Sequence, residues 1–462
     1  MTASKNNPPR DDRPPEVVID GLLSDAISAK KRISDCDQSQ VDTLVEEIGW
    51  AIYQDHHARD IARTTYEETG FGNVADKYKK LRYGSRCILA DLLGKPSVGV
   101  RESDRPGVIE IAKPVGVIGA FVPSTNPGPT IMNVVMLAVK GRNAVIISVS
   151  PHCIQSAYCT IEYIRDQLDK VGAPRDLVTF VPRPANRDRA NELMQRADMV
   201  QVTGSSSNVE AGQQSGTPNY CVGQGNLVVI VDETANLKRA GRQIATGTAF
   251  DYGTPCVSES VLVAHTDIYS PLLNLLKAEN GYHCSVDETT AIEQTLFPDG
   301  SLDRSVIARP PSVIADHAAI DIPDTTEFLI VEQTEIGKNY PLSGEKIAPI
   351  ITVYQANTFQ KALKITKEIL DYEGTGHSCT VHTRSHERAF AMGHEINVCR
   401  IGVNQQGFAV GMSADNGLTD AYSLGAGTWG GNQLDRNLSF EDFLCTTQVT
   451  YPLDDSDLDS EN

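Results

Sequence analysis

Along residues 17–93 apolar side chains recur every three or four positions. In VDTLVEEIGWAIYQDHHARDIARTTYEETG, Val41, Leu44, Ile48 and Ile52 share one face, the period of an amphipathic helix. The pattern predicts two or three helices there. From Gly107 the period changes. Short apolar runs (GVIEIAKPVGVIGAFV, NAVIISV, LVTFV, MVQVT) alternate with helical stretches such as TIMNVVMLAVK, CIQSAYCTIEYIRDQLDKVG and NRDRANELMQRA. Such alternation predicts a doubly wound α/β unit on a parallel sheet. A second α/β unit runs on to about residue 410, where KIAPIITVY, KALKITKEILDY and HSCTVHT repeat strand, helix, strand. LCTTQVTYPL reads as a late strand able to pair with an earlier ribbon or with another subunit. The expected organisation is a disordered leader over 1–16, one domain over 17–225 carrying a ribbon near 107–116, a second over 226–410, a return segment ending in a strand over 411–452, and an acidic tail over 453–462.

Composition narrows the class. A chain of 462 residues is long enough for more than one core. No run reaches the roughly 18 to 20 apolar residues a bilayer requires, and the opening MTASKNNPPRDDRPPE has no apolar stretch behind basic residues, so the expected location is the cytoplasm. Net charge is −19, which argues against nucleic-acid and anionic-membrane surfaces, since these need clustered Lys and Arg. Ten cysteines are spread singly with no CxxC pair, so reduced thiols and no metal site are expected.

Several polar positions could carry chemistry. Cys256, in FDYGTPCVSESVLVAH, lies between a glycine-bearing turn and a strand; alone it fits inert packing or a nucleophile. Asn126, in FVPSTNPGPT, suits a helix N-cap with Pro127 at the first helical position. If its side-chain oxygen accepts from the helix N–H groups, the amide NH2 points outward, toward a developing oxyanion. Gly204 and Ser205 join a strand to a helix, a turn suited to an anionic ligand. Ser150, Pro151 and His152 end another strand at the carboxyl edge of the sheet, where nucleotides bind. No acidic residue stands there to favour a free ribose hydroxyl, which leaves NADP open beside NAD. Gly223, in YCVGQGNL, marks a close backbone approach. Glu345 and Lys346 read either as an exposed ion pair or as site residues, and His377, in EGTGHSCTVHT, as a structural or a catalytic histidine.

Taken in order, KPVGVIGAFVPSTNP, GRNAVIISVSPH, VTGSSSNV, VGQGN, FDYGTPCVSES, SGEKIAPI, GTGHS and GAGTWGGN resemble the coenzyme A-acylating branch of the aldehyde dehydrogenase superfamily, over about residues 17–452. The resemblance implies two Rossmann-like α/β domains, NAD(P)-binding (17–225) and catalytic (226–410), with a small β oligomerisation element and a homodimeric or homotetrameric assembly. It implies Cys256 as nucleophile and an oxyanion hole made by Asn126 with the Cys256 N–H. It also implies Gly204, Ser205 and Gly223 near the dinucleotide, Ser150, Pro151 and His152 near the adenosine ribose, and Glu345 on the nicotinamide ribose. His377 is the candidate for aiding the coenzyme A thiol. Hydrolytic members carry a glutamate base where this chain has CVGQGNL, and Val222 cannot activate water, so the expected acyl acceptor is coenzyme A. Sulfoacetaldehyde is the leading expected substrate, with acetaldehyde, succinate semialdehyde or propionaldehyde behind it and Arg400 as one contributor to a sulfonate pocket. Tyr252 and Gln406–Gly407 depart from the family pattern near that pocket. A catalytically silent oligomeric scaffold is the alternative from another class, disfavoured by Cys256, Asn126 and Glu345 occurring together.

Overall fold

The protein is described by a computed structural model covering residues 8–101, 103–413 and 415–453. Four helices open it: α1 (Pro15–Arg32), α2 (Gln38–Tyr53), α3 (Asp55–Thr69) and α4 (Val74–Leu92). The expected two or three become four because α2 and α3 are divided only at Gln54, whose backbone leaves helical geometry. A reciprocal capping box starts α2: Asp37 accepts from the Gln40 N–H at 2.8 Å while the Gln40 side chain accepts from the Asp37 N–H at 2.9 Å. Of the expected leader, residues 1–7 lie outside the described residues. From Pro8 onward the chain is fixed, contrary to expectation. Arg183 N–H donates to the Pro9 carbonyl at 2.9 Å and Asp11 N–H to the Arg183 carbonyl at 2.8 Å. The buried guanidinium of Arg189 donates to the Asp11 and Pro182 carbonyls, clamping the two segments together.

Next come β1 (Gly99–Arg101), β2 (Val108–Pro114), β3 (Val117–Val122), α5 (Pro127–Lys140), β4 (Ala144–Val149), α6 (Ile154–Lys170), β5 (Val178–Phe180), α7 (Arg187–Arg196), β6 (Met199–Thr203), α8 (Ser206–Gln214) and β7 (Asn219–Val222). Strands β3 to β7 form a five-stranded parallel sheet in the order β5-β4-β3-β6-β7. Winding reverses between β3 and β6, which opens a crevice at their carboxyl ends. All of α5 is buried between this sheet and the opening helices, which is why its sequence is apolar on every face.

The second unit holds β8 (Leu227–Val231), α9 (Leu237–Ala249), β9 (Glu259–His265), α10 (Thr266–Ala278), β10 (Gly281–His283), α11 (Val286–Leu296), α12 (Pro311–His317), β11 (Phe328–Glu332), β12 (Ile350–Ala356), α13 (Phe359–Tyr372), β13 (Gly376–His382), α14 (His386–Glu395) and β14 (Val398–Val403). Its seven-stranded parallel sheet is ordered β10-β11-β12-β9-β8-β13-β14. The last strand, β15 (Leu444–Thr450), pairs antiparallel with β2 of its own chain, from Leu444 opposite Pro114 to Thr450 opposite Val108, with β1 on the other side of β2. Just before it Leu434, Leu438, Phe440 and Phe443 pack into the core of the first sheet and opening helices. Of the expected acidic tail, residues 454–462 lie outside the described residues. Among those described, no helix is long and apolar enough to cross a membrane. The expected α/β architecture of two doubly wound parallel sheets with a small β element is the one observed.

Candidate active site

Cys256 lies between α9 and β9, behind a turn whose residues Asp251 (φ 47°) and Tyr252 (φ 52°) are left-handed. Such a pair of non-glycine residues is strained and persists only where surroundings over-determine it. Here they do. The fully buried Asp251 carboxylate accepts from Asn73 N–H at 2.7 Å, Thr254 Oγ1 at 2.6 Å, Lys77 Nζ at 3.1 Å and Lys80 Nζ. On the other side Gly225 packs against the Cys256 backbone, and a Cβ there would collide with the Cys256 carbonyl oxygen. Cys256 is thereby held on the wall of a cleft of about 340 Å³ between the two sheets.

Asn126 lines the same cleft, at the end of the loop from β3 to α5. The expected side-chain cap is not made. Asn126 makes no side-chain bond to the start of α5; its Oδ1 accepts from Lys80 Nζ and its Nδ2 donates to the Thr254 carbonyl at 3.3 Å. A buried ammonium outcompetes the helix N–H groups as a charge-assisted donor. Orientation of the amide is still fixed, by a lysine rather than a helix, with NH2 facing the loop two residues before Cys256. Lys80 is 1% exposed and spends its three protons on Asn126, Asp251 and Thr254 Oγ1.

The opposite wall is made of backbone turns. Gly204 and Ser205 link β6 to α8, Ser150 follows β4, and Gly223 with Gln224 follows β7; all five line the cleft. Pro151 and His152 are exposed in a short 3-10 turn just outside it. No side chain caps α8, because the Ser205 hydroxyl lies 3.1 Å from Ser207 Oγ instead. Its first N–H groups stay open to an anion, which fits a dinucleotide pyrophosphate. Glu345 completes the wall, its Oε1 accepting from Gly225 N–H at 3.2 Å. It is the one carboxylate lining the cleft among the described residues.

Burial governs the charge states. It pushes the Cys256 thiol up to about 12, with Glu345 adding to the rise while Arg400 and Lys80 oppose it. Without ligands the sulfur therefore rests as a protonated thiol. Burial, then Glu373, raises Glu345 to about 8, and burial alone raises Glu259, three residues after Cys256, to about 8. Lys346 is buried and donates at 2.9 Å to the Leu342 and Gly344 carbonyls, so it forms no exposed pair with Glu345.

Besides Pro151 and His152, two further expected residues are not gathered into the cleft. His377 opens β13, is 1% exposed and does not line it; burial and the Arg400 charge depress its imidazole to about 3. Arg400 is buried and committed to Ser378 Oγ, Asn437 Oδ1 and the His377 and Gly425 carbonyls. With four of its five N–H donors spent on protein and no place on the cleft wall, it does not face a sulfonate bound there. Tyr252 does not line the cleft either, its place being set by the left-handed turn. Gln406 faces a neighbouring cavity, and Gly407 N–H donates to Glu259 Oε1 at 2.6 Å. Sequence reasoning missed Lys77, Lys80 and Asp251. The readable signal was the DKYKK spacing, which sets two lysines three apart on one helical face among apolar residues.

The model of the aldehyde dehydrogenase family matches residues 19–287. The chain is 36% identical over 440 residues to a sulfoacetaldehyde dehydrogenase (acylating) of Cupriavidus necator, covering 94% of this chain and 89% of that one. It is 34% identical to a succinate-semialdehyde dehydrogenase (acetylating) of Clostridium kluyveri, over 94% and 96% of the two chains. The crystal structure of an acetylating aldehyde dehydrogenase from Geobacillus thermoglucosidasius superposes with a TM-score of 0.91 at 31% identity, covering 96% of this chain and 98% of that one. Matched by the family model over more than half of its length and by relatives at 34% and 36% identity over 94% of its length, the chain belongs to the aldehyde dehydrogenase family.

Proposed function

We propose that the protein oxidises a short aldehyde with NAD(P) and transfers the acyl group to coenzyme A, with sulfoacetaldehyde as the preferred substrate and succinate semialdehyde, acetaldehyde and propionaldehyde as the other candidates. The observation that carries the reading is the cleft itself. It joins Cys256, Asn126 and an uncapped helix start, and among the described residues it holds one carboxylate, Glu345, already engaged by Gly225 N–H. The names of the relatives support the acylating outcome.

Cys256 sulfur, on losing its proton, adds to the aldehyde carbon, and the carbonyl oxygen becomes an oxyanion. Asn126 Nδ2 meets that oxyanion by giving up its long bond to the Thr254 carbonyl, while Lys80 keeps Oδ1 turned away. Gly204, Ser205, Ser150, Gly223 and Glu345 would hold the nicotinamide dinucleotide, which when bound would supply the hydride acceptor for the adduct. Cys256 is then a thioester. The coenzyme A thiol attacks its carbonyl carbon, the Cys256 sulfur leaves, and acyl-coenzyme A is released; His377, buried away from the cleft and unprotonated, takes no part in our reading of this step. We assign the first sheet with its helices to dinucleotide binding and the second to catalysis. The β1–β2–β15 sheet, with β15 largely exposed, is assigned to a homo-oligomer contact.

A substrate panel tests the reading. With NAD or NADP and coenzyme A, sulfoacetaldehyde should give the highest kcat/KM. A higher value for neutral acetaldehyde or propionaldehyde than for both anionic aldehydes would overturn the substrate assignment.

A further inference from the structure

A larger cavity, about 960 Å³, lies beside the cleft and shares Lys80, Phe408 and Met412 with it as lining. Its walls are one face of α4, one face of α9 and the loop after β14. In a chain of net charge −19 this cavity is basic. Lys79, Arg82 and Arg86 project from α4 at helical spacing, Arg239 faces them from α9, and Asp415 is the one carboxylate on its walls among the described residues. Lys79 is paired with Asp76 at 2.7 Å. Arg82, Arg86 and Arg239 have no carboxylate within ion-pair distance among the described residues. Arg82 is instead stacked 3.9 Å over the Tyr53 ring, which fixes a planar guanidinium with its donors unspent.

We propose that this cavity is the entry and recognition site for an aldehyde with a terminal anion, sulfonate or carboxylate. Arg82, Arg86 and Arg239 receive the anion and deliver the aldehyde end past Lys80 to Cys256. The proposal rests on the reading above and deepens it. Among the described residues, Lys80 and Arg304 are the cations on the cleft wall, and Lys80 and Arg400 are both committed to protein acceptors. The cavity thus offers three guanidiniums for anion selectivity where the cleft itself offers Arg304 alone. Concave, basic surroundings focus the field and raise the encounter rate of anions by about 10- to 1000-fold, an effect that salt removes.

The test is a triple variant, Arg82→Gln, Arg86→Gln and Arg239→Gln, assayed with NAD(P) and coenzyme A on sulfoacetaldehyde, succinate semialdehyde and propionaldehyde at low and high ionic strength. The expected result is at least about a tenfold fall in the kcat/KM ratio of each anionic aldehyde to propionaldehyde, and loss of the salt dependence of that ratio. An unchanged ratio, or a rise confined to the KM for coenzyme A, would overturn the proposal. A second measurement does not require turnover. Calorimetric titration with isethionate, an unreactive sulfonate, should show binding to Cys256→Ala protein that the three Gln substitutions abolish. No binding, or equal binding to both, would count against the site, whereas lack of turnover alone would count only against the acylating reading.

Discussion

The two walls of the Cys256 cleft are built on opposite principles. The Gly204 side is backbone: glycines, serines and strand ends held by a parallel sheet, its one carboxylate, among the described residues, engaged by an N–H. The Asn126 side is buried charge, with two lysines and an aspartate drawn from residues 77, 80 and 251. A backbone wall tolerates exchange of most side chains and fails when a turn is filled. A charge wall fails when one member is removed, because the partner is left uncompensated in a low-dielectric interior. The geometry of the nucleophile depends on the second wall, since Asp251 fixes the turn and Lys80 fixes the amide.

Substitutions can separate the walls, beginning with the largest effect. Cys256→Ala should abolish aldehyde oxidation while leaving dinucleotide binding, measured by quenching of protein fluorescence, intact. Asn126→Ala should lower kcat by about 100- to 1000-fold, the range for loss of one oxyanion donor, with little change in the Kd for the dinucleotide. If Lys80 acts by orienting Asn126, Lys80→Met should lower kcat at least about tenfold in the wild-type background and add almost nothing in the Asn126→Ala background. Additive losses would contradict that coupling.

Smaller effects test the charge states. Burial and Glu345 both raise the Cys256 thiol toward about 12, so ligand-free alkylation by iodoacetamide should climb with pH without a plateau below about pH 10. Glu345→Gln removes a negative neighbour, lowers the thiol, and should speed alkylation a few-fold at pH 8. The smallest effect concerns stability. Glu259 keeps its proton in the folded protein up to about pH 8 but loses it near 4.5 when unfolded, so it costs stability as pH rises between those values. Glu259→Gln should raise Tm relative to wild type at pH 8 and make little difference at pH 4.

What could be read from the chain follows the same division. Alternating strand and helix periods predict both parallel sheets, because each strand is buried on two faces and so is continuously apolar. Gly204, Ser205, Ser150 and Gly223 are legible because turn residues act where they stand. Asn126 was placed correctly between strand and helix but given the wrong partner, since Lys80 lies 46 residues earlier and reaches it only through helix packing. Arg400 looked free because the acceptors that occupy it come from residues 377, 378, 425 and 437. The basic cavity was hidden for the same reason, one of its guanidiniums standing more than 150 residues from the others along the chain.

Coenzyme A dependence tests the central claim most directly: a Cys256 thioester that no cleft carboxylate can hydrolyse. Mixed with sulfoacetaldehyde and NAD(P) alone, the enzyme should release at most one equivalent of reduced cofactor per chain and stop, and added coenzyme A should restore continuous turnover. Sustained turnover without coenzyme A would contradict the account.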